Sequence, residues 1–148
     1  MATYPIPVFH YKVSWGTSDI GFSEVSGLTQ EHQAIEYRDG LMPGTTLPLK
    51  RPGLKKANNI TLKRGIVEKN NDLFDWFNNN KNIKNPAELD RRGLTISLLN
   101  DAGDNVMTWN VLEAWPVKCE GPGLKASGNE IAIESIELVH EGISISTT

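Results

Sequence analysis

The chain has 148 residues, of which 39% are hydrophobic and 22% are charged, and its formal net charge is −3 at pH 7. These values are typical of one globular domain with a packed core, and they argue against a disordered chain. The mild charge creates no field that would require a nucleic acid or an anionic membrane as partner.

Export and disulfide signals are also missing from the sequence. The first residues contain no basic segment followed by an apolar one, so we expect synthesis in the cytoplasm without a signal peptide. No apolar run approaches the roughly 20 residues that span a bilayer, and no membrane is expected as partner. Cys119 is the single cysteine, which excludes an internal disulfide and favours a reducing compartment.

Apolar and polar residues alternate along most of the chain, which predicts short, half-buried strands. The predicted strands are 8–15, 20–25, 28–38, 59–64, 94–98, 106–117, 130–139 and 143–145. The apolar phase slips by one near Ser135, which indicates a bulge or a strand covered on both faces. Many short strands separated by turn residues predict a single all-β domain over residues 1–148, an antiparallel sandwich or barrel.

One short helix interrupts the strands. Asn71 or Asp72 is expected to cap its first turn, and three asparagines at 78–80 end it. Leu73, Trp76 and Phe77 fall at i, i+3 and i+4, which gives the helix one apolar face. A helix this short is not stable alone in water and is expected to lie on the sheet.

The usual catalytic and metal-binding patterns are not found. The three histidines, His10, His32 and His140, are far apart and have no cysteine or histidine at a metal-ligand spacing. Cys119 has no neighbouring pattern that marks a nucleophile, and the Gly-Pro-Gly of 121–123 opens no helix that would bind phosphate. We therefore expect no catalytic residue, no metal, no cofactor and no enzyme activity.

Residues 24–40 concentrate acids, a histidine and an arginine around Gly27. In an extended chain Glu31 faces one side, while Glu36 and Arg38 face the other, so the charges do not converge on a catalytic centre. The strand 28–38 also has little apolar content on either face. A strand of this kind is expected to contact water on one face and to pair at its edge with another chain.

Residues 41–58 contain three prolines and two glycines and show no sustained period. Structureless loops of this length are uncommon in compact domains and are usually functional. The segment carries five large apolar residues, so we expect it to be buried against a partner. Six basic residues lie between positions 50 and 64, and we expect them to complement a protein surface rather than nucleic acid.

Several motifs occur in a specific order along nearly the whole chain. They are GFSEVSGLTQEHQAIEYRDG, a Pro-rich loop, NITLKRG, DLFDWFNN, DRRGLTISLLN, WNVLEAWPVK and GNEIAIESIELVHEG. This order resembles the inner tube protein of contractile injection systems, a phage-tail-tube-like family. The resemblance implies a β-sandwich with one helix, of which six copies close into a ring whose inner sheets form a continuous barrel. Stacked rings would form a hollow conduit for protein cargo inside a contractile sheath.

The resemblance also implies contact residues. An extended loop at about 40–59 would reach the next ring through Leu41, Met42, Leu47, Leu49, Lys50, Arg51, Leu54, Lys55 and Lys56. The strand before it would line the lumen or contact a neighbouring subunit through Glu31, Gln33, Glu36, Arg38 and Asp39, and part of 130–139 would line the lumen as well. Expected partners are further copies of the chain, sheath, baseplate or spike proteins, and protein cargo. The particle would assemble in bacterial cytoplasm and be released or stay cell-associated.

Two alternatives remain at this point. One is the tail tube of a contractile-tailed phage, which conducts DNA. The other is a monomeric β-sandwich binding module, for example one that stacks carbohydrate on its tryptophans, although no motif supports that role.

Overall fold

A computed structural model of the chain describes residues 4–15, 18–68, 72–80 and 89–147. The strands are β1 (Tyr11–Trp15), β2 (Ser18–Ile20), β3 (Glu24–Ser26), β4 (Gln30–Tyr37), β5 (Leu49–Ala57), β6 (Ile60–Gly65), β7 (Arg92–Leu99), β8 (Asn105–Glu120), β9 (Ile133–Val139) and β10 (Gly142–Thr147). The helix α1 (Asp72–Asn79) lies between β6 and β7. The expected class, antiparallel β structure with one short helix, is confirmed.

Most strands belong to one sheet with the order β2-β1-β7-β8-β9-β6-β3, in which β10 also pairs with β8. Strand β8 connects its two parts: residues 105–114 pair with β7, and residues 115–120 pair with β9. Glu113 has a φ of 52°, a conformation that residues other than glycine rarely adopt, and it lies where β8 changes partner. We call β3, β6, β9 and residues 115–120 the second half-sheet, and the remaining strands of this sheet the first half-sheet.

The core lies between the two half-sheets, since its buried side chains come from both. They are Val13, Leu94, Ile96, Val111, Ala114 and Ile143 from the first half-sheet, Ile60, Leu62, Ile136 and Leu138 from the second, and Leu73 and Trp76 from α1. Within β6, burial alternates residue by residue, so Thr61 and Lys63 lie on the other face. Each half-sheet therefore has one face in a sandwich core, as the alternating sequence predicts.

The helix is held to the sheet by its apolar face and by one hydrogen-bond cluster. Leu73 and Trp76 are fully buried, as predicted, and Trp76 Nε1 donates to the Asp90 carbonyl at 2.7 Å. Asn80 follows the helix, and its Oδ1 accepts from the Asp90 amide at 2.6 Å. The Arg92 guanidinium lies 4.9 Å from the Trp76 ring centre, within cation–π range, and 3.1 Å from the Asp90 carboxylate. The proposed cap Asn71 lies outside the described residues.

The hydrogen bonds of this cluster change the pKa of the Asp90 carboxyl group. Partial burial raises its pKa, but hydrogen bonds from Arg92 and Asn79 outweigh the burial, so the pKa lies below its ordinary value. The ionised form of Asp90 therefore stabilises the connection between α1 and β7.

Two sequence predictions about elements need correction. The strand expected at 20–25 is interrupted, because β2 ends at Ile20 and β3 begins at Glu24. The phase slip near Ser135 is not a bulge, since the register of β9 with β6 is unbroken there; Ile133 lies on the face opposite Ile136 and Leu138, so β9 has apolar residues on both faces, the other alternative. Arg64, which the sequence analysis placed among six basic residues expected to meet a protein surface, is buried instead. Its Nε contacts Glu134 Oε1 at 2.6 Å.

Candidate assembly surfaces

Strands β4 and β5 pair only with each other among the described residues and form a two-stranded ribbon outside the eight-stranded sheet. The expectation that residues 41–58 lack regular structure is therefore wrong for Leu49–Ala57, which is β5. The ribbon leaves the second half-sheet after β3 and returns at β6. Gly27, with a φ of 92°, lies at its base, where a Cβ would clash with the Asn59 carbonyl oxygen.

Both faces of the ribbon are exposed. In β4 only Gln30 is partly buried, and in β5 only Gly53 is. Apolar side chains on the ribbon are left uncovered: Ile35 and Leu49 are more than half exposed, and Leu54 is 81% exposed. Because an isolated two-stranded ribbon is at best marginally stable in water, this one needs a covering surface, and the described part of the chain supplies none.

A bulge bends β5 and sets which residues lie opposite β4. The register shifts between His32 and Ala34, so that Gly53 and Leu54 together face Gln33. A Cβ on Gly53 would lie 2.7 Å from the Gln33 carbonyl oxygen and 2.9 Å from Ile35 Cγ1. Glycine is therefore needed here for the close approach of the two backbones.

Each acidic residue of the segment 24–37 has a basic neighbour across the strands. Glu31 lies 3.9 Å from Lys56 and Glu36 lies 3.9 Å from Lys50, on opposite faces of the ribbon. Glu24 is not part of the ribbon, and it contacts Lys63 of β6 at 3.6 Å. The expectation that these acids do not converge is confirmed, since they are distributed over three separate surfaces.

Residues 38–48 form the tip of the ribbon, and Arg38 and Asp39 organise it. Arg38 donates through Nη1 to the Pro43 carbonyl at 3.1 Å and through Nη2 to the Thr46 carbonyl. The Asp39 carboxylate accepts from the Leu41 amide at 2.9 Å, which closes a local turn. The folded tip holds Met42 half-buried and presents two leucines, Leu41 and Leu47, to solvent.

The second half-sheet has a polar face opposite its core face. Paired positions across β3, β6, β9 and β8 place on it Glu24, Ser26, Thr61, Lys63, Ser135, Glu137, Lys118 and Glu120. The Lys118 Nζ and Glu120 Oε1 atoms are 2.7 Å apart. This hydrogen bond, with the charge of Glu120, raises the pKa of Lys118, and the same contact lowers the pKa of Glu120. We call these residues the polar sheet face.

Sequence reasoning missed most of the polar sheet face, although a signal was present. In β6 the polar Thr61 and Lys63 alternate with core residues, and in β9 Ser135 and Glu137 do the same. Only the pairing of strands distant in sequence shows that these polar positions share one surface.

Both edges of the second half-sheet are free within the described part of the chain. On one side β3 pairs only with β6, and on the other side residues 115–120 pair only with β9. Pro116, which has no backbone N–H, lies in the second of these edges, a position where proline is tolerated. Free edges of this kind are templates for pairing with another chain.

The described residues contain neither a grouped set of metal ligands nor a helix that could cross a membrane. Among the described residues, no three or more histidines, cysteines, aspartates or glutamates are grouped to hold a metal ion. No helix there is long and apolar enough to cross a membrane. Cys119 is half-buried, and burial, together with the charge of Glu134, raises the pKa of its thiol. A raised pKa lowers the thiolate fraction and with it the reactivity of this cysteine.

Comparison with known proteins identifies the architecture. Residues 7–144 match the family model of the T4-like virus tail tube protein gp19. A chain in the PVC sheath–tube complex of an extracellular contractile injection system, in the extended state, is 38% identical. The match covers 98% of this chain and 93% of that one, with a TM-score of 0.86. A chain in the tube-terminating cap of the anti-feeding prophage is 34% identical, with a TM-score of 0.88, over 100% of this chain and 95% of that one.

A more distant structure shares the fold alone. Hcp1 from Flavobacterium johnsoniae is 14% identical over 95% of this chain and 97% of its own length, with a TM-score of 0.57. Comparison with proteins of curated function gave no match.

Proposed function

The chain belongs to the T4-like virus tail tube protein gp19 family, and on that premise we propose that it is the subunit of the inner tube of a contractile injection system. Six copies form a ring, and stacked rings form a conduit for protein cargo inside a sheath. The observation that carries this proposal is the ribbon, because it exposes apolar residues that no other described part of the chain covers.

Lateral closure of the ring follows from the edges of the second half-sheet. Pairing of β3 of one copy with residues 115–120 of its neighbour would make the half-sheets continuous around the ring. The polar sheet face, opposite the core face, then turns toward the channel.

We assign the channel lining to the polar sheet face and the ribbon to contacts between subunits. Sequence analysis placed much of the lining on Glu31, Gln33 and Glu36, but these residues lie on the ribbon, apart from the sheet that holds the 130–139 segment. The assignment is supported by the eight polar residues that the strand registers place on this face. Cysteines placed at Ser135 and at Gln33 in assembled tubes, in a Cys119→Ser background, distinguish the two linings. A channel residue reacts with a small maleimide and resists a bulky one that cannot enter the tube, whereas a residue buried between subunits resists both. A Gln33→Cys that reacts with the small reagent alone, beside a Ser135→Cys that reacts with neither, would reverse the assignment.

The charges of the polar sheet face bear on the cargo. Two lysines and three glutamates leave it with a net charge of −1 per subunit, and its two closest ion pairs are internal. A wall of this kind offers no positive surface for stable binding of a phosphate backbone. We propose protein cargo, and one of the similar chains lies in an extracellular contractile injection system.

Electron microscopy of the purified protein tests the proposal. Rings or stacked tubes with a central channel are expected at high protein concentration, or when sheath and baseplate components of the same particle are added. A species that stays monomeric under both conditions would exclude the tube function. Nucleic acid that copurifies with filled particles would favour the phage tail tube instead.

The remaining parts of the proposal concern partners, activity and location. The tube would contact sheath, baseplate or spike proteins, without any enzymatic activity of its own and without a cofactor. It would be made in the bacterial cytoplasm and leave the cell only within the assembled particle, or stay cell-associated with it.

A further inference from the structure

The tip of the ribbon contains an aspartate that is followed by glycine, a pair with its own backbone chemistry. The sequence has seven aspartates, and Asp39-Gly40 is its single Asp-Gly pair, while no asparagine precedes a glycine. After each of the other aspartates, a Cβ on the next residue crowds the backbone nitrogen between them. Gly40 has no Cβ, so its nitrogen can approach the carboxyl carbon of Asp39 freely.

The folded tip brings these two groups together. The Asp39 carboxylate accepts from the Leu41 amide at 2.9 Å, and the ring that this hydrogen bond closes includes the Asp39 carboxyl carbon and the Gly40 nitrogen. Within the described part of the chain, the Gly40 amide donates to no acceptor of its own. Both residues are exposed. Reacting groups held together in one turn react far more readily than separate molecules.

We propose that Asp39 is a site of spontaneous covalent modification, where aspartate isomerises to isoaspartate in the unassembled subunit. The Gly40 nitrogen attacks the protonated carboxyl group and forms a bond to Cγ, and the amide proton leaves with one carboxyl hydroxyl as water. The product is a five-membered succinimide. Water then adds to the main-chain carbonyl carbon and breaks its bond to the Gly40 nitrogen, so that the chain continues through Cγ. Addition of water at Cγ instead restores aspartate.

Isomerisation disrupts the hydrogen bonds with which Asp39 organises the tip. The Asp39 carbonyl accepts from the Met42 amide at 3.3 Å, and in isoaspartate this carbonyl becomes a carboxylate outside the main chain. The oxygen that accepts from Leu41 becomes the main-chain carbonyl, and the backbone gains one carbon. The turn that presents Leu41 and Leu47 therefore loses its geometry. We infer that isomerised subunits no longer enter tubes, and this part of the inference rests on the proposed tube function.

A second exposed turn supplies an internal reference. Asp101 lies between β7 and β8, and the residue after it is Ala102, which carries a Cβ. The Ala102 amide already donates to Asn100 Oδ1 at 3.0 Å. Asp101 is therefore as accessible as Asp39, but the nitrogen beside it is both crowded and engaged.

Ageing of the isolated subunit tests the chemistry without assembly. The protein is kept in warm, mildly acidic buffer, and isoaspartate is quantified with an isoaspartyl methyltransferase and labelled S-adenosylmethionine, then located by mass spectrometry of peptides. It should accumulate at Asp39 and not at Asp101. It should form severalfold more slowly in Gly40→Ala. Absence of isoaspartate at position 39, or equal rates with and without the substitution, would overturn the proposal.

Gly40→Ala is a suitable variant because the structure tolerates it. A Cβ at Gly40 meets nothing within 4 Å, and the φ of Gly40 lies outside the left-handed region. The variant therefore keeps the fold of the tip and changes the crowding of the attacking nitrogen.

Assembly of aged subunits tests the consequence, with each protein compared with its own fresh sample by electron microscopy. Aged subunits of the unsubstituted chain should lose tube formation in proportion to their isoaspartate, and aged Gly40→Ala should keep most of it. Repair with the methyltransferase and S-adenosylmethionine should restore assembly. Full assembly of isomerised subunits would contradict the effect on the tube.

Tubes aged intact give a further readout, since a tip held in an assembly cannot rearrange freely. They should contain severalfold less isoaspartate than free subunits aged beside them, and equal amounts would contradict a reaction confined to unassembled subunits. Fresh subunits that never assemble would contradict the tube function, whereas the isoaspartate measured in isolated subunits would still decide the modification.

Discussion

The second half-sheet and the ribbon are adjacent along the chain, yet they bury their side chains to opposite extents. In β6 every second residue lies in the core, whereas β4 and β5 have no buried residue at all. The half-sheet is stabilised within one chain, because another layer covers it. The ribbon has no such layer among the described residues, and we propose that contacts with other subunits supply it. On this proposal, folding and assembly are divided between two neighbouring segments.

The largest effect should come from a core residue. Trp76→Ala removes a fully buried side chain and is expected to lower the free energy of unfolding by about 3–5 kcal/mol. The control Leu54→Ala, on the ribbon, should change it by no more than about 0.5 kcal/mol. Urea denaturation of the two variants measures this contrast. An equal decrease in the free energy of unfolding for both variants would mean that the ribbon belongs to the folded core.

The next effect concerns assembly without loss of folding. Leu47→Ser with Leu49→Ser should leave circular dichroism unchanged and prevent long tubes, because each apolar side chain contributes about 1.5–3 kcal/mol when fully buried. Leu47→Met with Leu49→Met preserves the apolar area and should assemble normally. Long tubes from the serine variant, seen by electron microscopy, would show that this part of the ribbon does not hold rings together.

A smaller effect should come from the bulge. In Gly53→Ala the new Cβ pushes the Gln33 carbonyl oxygen and the Ile35 side chain away from residue 53. This should destabilise the ribbon by about 1–3 kcal/mol. Tubes should form only at a higher protein concentration, while the urea midpoint for unfolding of the subunit stays unchanged. Gly44→Ala is the matched control, since a Cβ there meets nothing within 4 Å. Identical assembly by both variants would argue against a structured ribbon in the tube.

Acid stability should depend in part on Asp90. Its pKa is lower in the folded chain than in the unfolded one, so its contribution is complete above the ordinary value of about 3.9 and is lost as pH falls through the folded pKa. Asp90→Asn should lower stability at neutral pH and flatten its decline in acid. Thermal unfolding at a series of pH values measures both changes, and parallel curves for the two proteins would contradict the prediction.

The smallest effect is expected from the ribbon charges. Neutral replacements at Lys50, Arg51, Lys55 and Lys56 remove exposed contacts that contribute about 0–1 kcal/mol each. Stacking should weaken slightly, and mainly at low salt, where screening is weak. Sedimentation of tubes at low and high salt measures the change. If these replacements reduced the amount of tubes as much as Leu47→Ser with Leu49→Ser does, charge and not apolar burial would dominate the contact between rings.

Most of the sandwich was predictable from local pattern. Leu94 and Ile96 alternate with polar neighbours and do lie in the core, and Leu73 and Trp76 form the buried face of the helix. The ribbon strand β5 was not predictable, because Pro52, Gly53 and uniform exposure leave no periodic signal. Its candidate contact residues were nevertheless proposed from the sequence, since five large apolar side chains in a polar, proline-containing segment favour a covering partner, and they stay a prediction.

The sequence by itself determined the all-β class, the position of the helix, the family and the absence of a converging set of acids in residues 24–40. These properties are visible locally because a half-buried strand or helix repeats its polarity with a fixed period. Only the tertiary structure decided that Arg64 is buried against Glu134, that β8 divides between two half-sheets at Glu113, and that Lys63, Ser135 and Glu120 share one polar face. Each of these depends on pairing between strands that are tens of residues apart, and periodicity within one strand carries no information about which strand will lie beside it.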